Sequence, residues 1–161
     1  MNKRIFLNIS KIWTPVAVWM TLIFILSTDW FAGPNTLSLL GPLISWLRPG
    51  TTMETIQMIH AVLRKLGHWS EYFILASLSA AACTAQWPKQ IRRRRFTVTI
   101  VIALLYAISD EWHQSFVPTR SANATDVAID ACGAFFGAFW SLRRDRAGTS
   151  RDNGQQVAKK P

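Results

Sequence analysis

The sequence predicts an all-α membrane protein, a bundle of four transmembrane helices with a partly interfacial first outer loop. Half of the 161 residues are hydrophobic, yet the formal net charge is +9. The charges lie in short clusters that separate four long apolar runs. This combination fits a small membrane protein with basic loops better than a soluble globule, and the length allows one domain.

Composition also narrows the function classes. A basic chain could indicate a nucleic-acid partner, but no nucleic-acid-binding motif occurs, so we expect no such partner. Cys83 and Cys132 both lie inside apolar runs, without a CxxC pair or zinc-type spacing. They are predicted to be buried small hydrophobic residues rather than a disulfide.

The chain opens with a short segment, 1–11, that carries three cations. Residues 12–28 then form an apolar run close to the roughly 20 residues that cross a bilayer. A signal peptide would have a shorter apolar core followed by a small-residue cleavage site. The sequence therefore predicts an uncleaved first transmembrane helix, with Pro15 in its first turn, where a missing N–H is harmless.

The first outer connection, 29–67, is the longest in the chain. Proline and glycine interrupt its first part, but leucines and Trp46 make that part hydrophobic. It is therefore predicted to lie in the membrane interface. Residues 51–54 have the pattern of a capping box and predict the start of a helix. Gly67 is predicted to be a joint before the second span.

Three further apolar runs predict three more spans. Arg92–Arg95 forms a basic turn between two of them, and Gly133 and Gly137 predict a close-packing helix face. The tail after the last run is basic and polar and is predicted to be disordered. The predicted spans are 12–28, 69–87, 96–112 and 126–142, within a membrane domain at 12–142, and the tail is 143–161.

The distribution of cations predicts the topology. With four spans, both termini lie on the same side as the Arg92–Arg95 turn, and that side carries 14 of the 18 Lys and Arg residues. Cations accumulate in cytoplasmic loops. The N-terminal segment 1–11 and the tail are therefore predicted to be cytoplasmic.

Polar residues recur where three of the predicted spans reach the outer face. Within each group they are three or four residues apart, so they share one helix face. The groups are Arg64, His68 and Glu71; Asp110 and Gln114; and Asp126 and Asp130. Because the spans alternate in direction, these ends lie at one depth. Ionisable groups at a membrane boundary are costly unless they are paired or used, so the cluster is a functional hypothesis.

These motifs resemble those of the VanZ-like family, over roughly residues 60–140. The matching patterns are Arg64-Lys65-x-x-His68-x-x-Glu71-Tyr72, Ser109-Asp110-Glu111-x-x-Gln114-x-Phe116-Val117-Pro118-x-Arg120, Asp126-x-x-x-Asp130 and Gly133-x-x-x-Gly137. The chain departs from the family at Thr119, where glycine is usual and threonine is expected to stiffen the turn, and at Asp130, where many relatives carry another residue. The resemblance implies a multi-pass protein of the bacterial cytoplasmic (inner) membrane. Its namesake is associated with low-level teicoplanin resistance.

Two function classes remain open. In the first, the outer pocket binds an anionic lipid or a lipid-linked cell-wall precursor. Cationic side chains would grip phosphate while carboxylates hold those cations in place. The predicted ligand-binding residues are Arg64, Lys65, Gln114, Arg120, Asp126 and Asp130.

In the second class the protein is a membrane enzyme. A histidine would act as general acid or base, and carboxylates would orient it or bind a divalent metal such as zinc or manganese. The predicted catalytic residues are His68, Glu71, Asp110 and Glu111. No compact motif such as HExxH and no nucleophilic serine or cysteine is evident at the pocket, so the sequence names no cofactor, and binding is favoured over catalysis. A weaker third class is a structural partner of other envelope proteins.

Each of these residues also has a plain structural interpretation. His68 and Glu71 could be a pair at a helix start, where the dipole favours the carboxylate. Asp110 and Glu111 could be solvated residues at a helix end, although negative charge there opposes the dipole. His113 falls off the Asp110 face and is predicted to be an interfacial residue.

Overall fold

The computed structural model describes residues 3–118, 120 and 123–158, and the side chains of residues 9–144 within those ranges. This described part is all-helical, with no β-strand, which confirms the predicted all-α class. The helices are α1 (Lys3–Leu26), α2 (Gly33–Leu47), α3 (Met53–Gln86), α4 (Arg92–Gln114) and α5 (Ala124–Ala158), with a short 3-10 helix, Asp29–Phe31, before α2. Thr119, where the chain departs from the VanZ-like pattern, lies outside the described residues.

Helices α3 and α5 form the most extensive contact in the bundle. A Cβ atom at Gly133 would overlap the backbone carbonyl of Trp69, and one at Gly137 would overlap that of Phe73. Only glycine permits so close an approach of two helix backbones. The predicted close-packing face is therefore confirmed.

Small residues fill the interior around this pair. The hydroxyl of Ser77 donates to the carbonyl of Phe73 at 2.8 Å and to that of Gly137 at 3.3 Å. The buried alanines include Ala76, Ala80, Ala103, Ala107, Ala134 and Ala138. The helices are thus held by close backbone contact rather than by large interdigitating side chains.

Helix α1 joins the bundle through aromatic hydrogen-bond donors. Trp19 Nε1 donates to the backbone carbonyl of Glu71 at 2.9 Å, and the Tyr106 hydroxyl donates to the carbonyl of Met20. Buried tryptophan and tyrosine usually find such partners for their polar atoms. The bundle therefore contains four long helices, α1, α3, α4 and α5, while α2 packs beside α3.

Hydropathy distinguishes α1 from the other long helices. Among the described residues, only α1, over Ile9–Leu26, is long and apolar enough to span a membrane by length and composition. The all-helical part of the predicted fold is confirmed, whereas the four-span membrane bundle is not. The reason is composition, because α3, α4 and α5 carry many small and polar residues in their interior faces, which lowers their mean hydropathy.

The first helix begins earlier than its apolar run. Because α1 starts at Lys3, Pro15 lies in its interior, and the prediction that Pro15 occupies the first turn was wrong. An apolar run marks the part of a helix that avoids water, whereas the helical backbone continues through the polar residues before it. Proline removes one backbone donor there. Thr14 Oγ1 makes an additional hydrogen bond to the Ser10 carbonyl at 2.7 Å.

The segment predicted to be the first outer connection is more regular than its glycines and prolines suggest. Residues Gly33–Leu47 form α2, with proline at its start, where it is tolerated, and Pro42 inside it. Leu39 and Trp46 lie on its exposed surface. An interfacial position for this helix remains a prediction.

Helix α3 starts one residue later than the capping-box pattern indicates. Thr52 is the N-cap and accepts a hydrogen bond from the Thr55 amide at 3.3 Å, so Glu54 is not the third residue of the helix. The helix then continues through Gly67 to Gln86 without a break. The predicted joint at Gly67 was wrong, since a single glycine costs a packed helix only about 1 kcal/mol.

Helix α5 extends beyond its predicted span. Its backbone remains helical to Ala158, where the sequence predicts a disordered tail from residue 143. No proline interrupts this stretch, so nothing covalent prevents the helix from continuing. The side chains of residues 145–158, and the last three residues entirely, lie outside the described part.

Candidate functional site

Three helices bring polar side chains to one end of the bundle. Short connections make α3, α4 and α5 alternate in direction. The middle of α3, the end of α4 and the start of α5 therefore meet, away from Arg92–Arg95, which form the first turn of α4. The polar residues buried at this end include His68, Asp110, Glu111, Gln114, Asp126 and Asp130. Burying such groups is costly unless they find partners, so their contacts matter individually.

Gln114 connects the end of α4 to the end of α1. Its side-chain amide, 1 % exposed, donates to Asp110 Oδ2 at 2.8 Å and lies 3.4 Å from the Ser27 hydroxyl. Asp110 and Gln114 are one helical turn apart, as the sequence predicts. The second carboxylate oxygen of Asp110 is buried and has no hydrogen-bond partner within the described residues.

Glu111 reaches the segment that leads into α5. Its Oε2 accepts a hydrogen bond from the backbone amide of Asn123 at 2.9 Å. That contact fixes one oxygen of the carboxylate. Its Oε1 is buried and has no hydrogen-bond partner in the described chain.

His68 on α3 faces Asp130 on α5. Nδ1 of His68 lies 3.3 Å from Oδ1 of Asp130, whose side chain is fully buried. Despite that distance, the two atoms are not aligned as a hydrogen bond, and among the described residues Nδ1 and both oxygens of Asp130 lack one. The contact is therefore close in space but leaves three buried polar atoms incompletely satisfied.

His68, Asp130 and Glu111 also form a compact set of metal-ligating groups. One ligand atom from each of these three buried side chains lies within 4.8 Å of the others. Imidazole and carboxylate groups are common ligands of divalent transition metals. The sequence prediction had grouped His68 with Glu71, Asp110 and Glu111, whereas the geometry brings Asp130 into this set.

Arg120 occupies a different position from the one expected of a phosphate ligand. Its Nη2 donates to the backbone carbonyls of Leu26 at 2.6 Å and Phe31 at 3.1 Å, which ties the α4–α5 loop to the end of α1. Burial, and secondarily the charge of Arg64, lower the pKa of Arg120. One nitrogen of its guanidinium is thus engaged with backbone oxygens, while the buried Nε has no hydrogen-bond partner among the described residues.

A cavity of about 200 Å³ opens beside the buried residues. Its polar lining combines four side chains that are or can become cationic with one amide and one carboxylate. They are His60, Arg64, Lys65, His68, Asn123 and Asp126. The Lys65 ammonium lies 4.0 Å from Asp126 Oδ1 and remains largely exposed. Arg120 and Gln114 do not line this cavity.

His60 is a lining residue that the sequence analysis did not select. Its Nε2 lies 2.7 Å from the Thr36 hydroxyl, which links α3 to α2. Burial, followed by the positive charge of Arg64, lowers the pKa of His60. The signal was present in the sequence, because His60, Arg64 and His68 are spaced four residues apart and therefore share a face of one helix.

Two further residues show the limits of the predicted cluster. Glu71 is half-buried one turn after His68, and its backbone carbonyl, not its carboxylate, is the acceptor for Trp19. His113 instead stacks on Phe24 of α1, with ring centroids 4.4 Å apart, consistent with its assignment outside the polar cluster.

Fold and site together define a class: an all-helical bundle with many exposed large apolar residues and a polar site buried at one end. Within that class, residues 12–143 match the model of one family, VanZ/LLP1. The chain belongs to this family, which confirms the resemblance in its motifs. No curated protein and no solved structure matched the chain.

Proposed function

We propose that the chain forms a four-span bundle in the bacterial cytoplasmic membrane. The support is an inverted distribution of polarity: Asp130 is fully buried, whereas Val18 and Leu105 are 63 % and 64 % exposed. An apolar exterior around a polar interior suits lipid as the solvent. The outward-facing apolar residues of α4 and α5 include Val101, Leu105, Ile108, Phe135, Phe136 and Trp140.

We further propose that the site faces outward and both termini lie in the cytoplasm. Arg92–Arg95, at the start of α4, is at the other end of the bundle from His68 and Asp130. In a four-span topology, that side would carry 14 of the 18 Lys and Arg residues. Such clusters are retained in the cytoplasm and attract anionic lipid head groups there.

We propose that the cavity binds the phosphate group of an anionic lipid or of a lipid-linked cell-wall precursor. The observation that supports this proposal is the lining of the cavity: Arg64 and Lys65 lie with two histidines around about 200 Å³. In the proposed topology the cavity would lie at the depth of the outer head groups. Guanidinium and ammonium groups are strong phosphate ligands. Leu39, Trp46 and Leu66 are exposed on neighbouring α2 and α3 surfaces and would contact the acyl chains.

This proposal revises the division of roles among the cations. Arg64 and Lys65 would hold the phosphate, Asp126 would position Lys65, and Arg120 would shape the site through its contacts with Leu26 and Phe31. If the ligand is a lipid-linked precursor, such binding would also affect glycopeptide susceptibility. The association of the family's namesake with teicoplanin resistance motivates this part of the proposal.

Native mass spectrometry of purified protein in detergent tests the proposal. We expect phosphatidylglycerol or a polyprenyl-phosphate-linked precursor to bind at one per chain, and phosphatidylcholine to bind weakly. The same measurement with excess inorganic phosphate distinguishes recognition of a lipid from recognition of phosphate alone. Equal retention of phosphatidylcholine and the anionic lipids would contradict the proposal.

The alternative function is catalysis on the lipid head group. One observation favours it, since His68 lines the cavity and also approaches the buried carboxylate of Asp130. Such a pair could transfer protons during cleavage of the head group. The mass of the lipid after incubation distinguishes the two functions: an unchanged mass supports binding, and a lost or transferred head group supports an enzyme.

A further inference from the structure

Several buried polar atoms on the inner side of the site have no hydrogen-bond partner among the described residues. Glu111 Oε1 and both carboxylate oxygens of Asp130 lack hydrogen-bond partners among the described residues, as does Nδ1 of His68. All three side chains are more than nine-tenths buried. Buried polar atoms in native proteins are normally satisfied, and exceptions call for an explanation such as an ion.

A charged histidine alone would not satisfy this set. Protonated His68 could neutralise one carboxylate at 3.3 Å, but the misaligned contact leaves its own nitrogen unsatisfied. It would also leave the second carboxylate of the set without a partner for Oε1. A single divalent cation at the centre would instead contact all three side chains and offset both negative charges.

The distances fit such an ion. Ligand atoms about 2.0–2.2 Å from a zinc-type ion are at most about 4.4 Å apart, and adjacent ligands of a tetrahedral ion are about 3.4 Å apart. The three groups lie within 4.8 Å of one another, and the His68–Asp130 separation is 3.3 Å. Small side-chain rotations, without backbone movement, would complete the coordination.

We propose that His68, Glu111 and Asp130 form a binding site for a divalent first-row transition-metal cation, of the zinc or manganese type. Each ligand comes from a different helix, so the ion would join α3, α4 and α5. His68 also lines the cavity, which provides a route for the ion and leaves its remaining coordination positions open to water or a ligand oxygen. The imidazole ligand favours zinc over magnesium and calcium, which prefer oxygen, and the two carboxylates also suit manganese.

Glu111, one of the three proposed ligands, is already held in place by a hydrogen bond from a neighbouring backbone amide. The Asn123 amide donates to Glu111 Oε2 at 2.9 Å, which restricts the orientation of the Glu111 carboxylate. Hydrogen bonds of this kind orient metal ligands and are commonly found around bound ions. This inference concerns the buried triad and does not depend on the lipid proposed for the cationic wall of the cavity.

Metal binding is tested with full-length, tag-free protein in detergent, stripped with a chelator and titrated separately with Zn²⁺ and Mn²⁺. We expect one ion per chain for at least one of the two metals. Asp130→Asn and Glu111→Gln should each weaken binding at least about tenfold, because even outer-shell changes commonly cost that much. Glu54→Gln is the control for the loss of a carboxylate, since Glu54 is exposed near the start of α3 and lies outside the triad. It should change affinity less than threefold, roughly the scatter of such interactions.

A second measurement covers the case in which a triad variant does not fold. The stripped wild-type protein should unfold at a higher temperature when Zn²⁺ or Mn²⁺ is added, and Mg²⁺ at the same concentration should have no such effect. The proposal is overturned if the wild type retains neither transition metal stoichiometrically. It is also overturned if Glu54→Gln loses the ion as completely as Asp130→Asn.

Discussion

Gln114 shows how single polar residues organise the buried end of the bundle. Its amide lies between Asp110 on its own helix and Ser27 after α1, and the Gln114 side chain is almost fully buried. A buried carboxylate that loses its donor pays the full cost of desolvation. The same logic explains Arg120, whose guanidinium satisfies two backbone carbonyls rather than solvent.

At this scale we predict that Gln114→Leu destabilises the protein. The change keeps most of the side-chain volume but leaves Asp110 Oδ2 without a donor, at a cost of about 1–3 kcal/mol in the free energy of unfolding. Denaturant unfolding in detergent measures it. Gln57→Leu, at an exposed position on α3, is the control and should have little effect. Equal losses in both variants would contradict the assigned role of Gln114.

At the scale of helices, two glycine positions differ sharply. Gly137 lies where α5 touches the Phe73 carbonyl, whereas no atom beyond its own helix would contact a Cβ at Gly67. Both glycines are inside long helices, so the intrinsic helix preference is the same for each. Their different surroundings alone should determine the effect of adding a methyl group.

We therefore predict that replacing glycine by alanine changes the stability of the protein differently at these two positions. Gly137→Ala should force α3 and α5 apart and destabilise the bundle by about 1–3 kcal/mol. Gly67→Ala should be neutral, or stabilising by up to about 1 kcal/mol, because alanine favours the helix. Both are measured as changes in the free energy of unfolding. A Gly137→Ala protein as stable as the wild type would show that the helices are not packed as described.

Helix α2 provides a pH-dependent contact at the same scale. Because burial lowers the pKa of His60, the folded protein favours neutral imidazole. The stability that neutral His60 contributes is then fully present above the ordinary histidine pKa of 6.5 and is lost as the pH falls through the lowered folded value, because the charged ring is disfavoured by burial and by Arg64.

Hydrogen–deuterium exchange of α2 amides, corrected for intrinsic rates, checks this prediction. We expect faster exchange in α2 once the pH falls well below the ordinary histidine pKa than at pH 8, since His60 becomes charged as the pH passes its lowered folded pKa. His60→Gln cannot titrate and should show no such pH dependence. If wild type and His60→Gln respond to pH alike, His60 does not control the attachment of α2.

For the molecule as a whole, the polar cluster could be predicted from the sequence. The helical spacing of its residues and the alternating direction of consecutive helices determine which residues lie at the same level of the bundle. His60 was within reach of the same argument. The role of Arg120 was not, because its acceptors, the carbonyls of Leu26 and Phe31, are 94 and 89 residues away and have no side-chain signature. The pairing of His68 with Asp130 likewise depends on how closely Gly133 lets α5 approach α3.

The proposed topology makes a prediction at this scale. A reporter that works only in the cytoplasm should be active when fused to the C-terminus, and one that works only outside the membrane should be inactive. A control fusion in the first outer connection, at residue 50, should behave in the opposite way. Reversed activities would place the cavity on the cytoplasmic side and contradict an outer lipid ligand.

The most direct test of the account compares two arginines on the proposed outer side. Arg64 lines the cavity, whereas Arg48 is exposed and does not. Arg64→Gln should weaken phosphatidylglycerol or precursor binding in native mass spectrometry at least about tenfold, since a charge-assisted hydrogen bond contributes about 1.5–3 kcal/mol. Arg48→Gln should leave that affinity nearly unchanged. Equal affinities for the two variants would contradict an anionic ligand in this cavity.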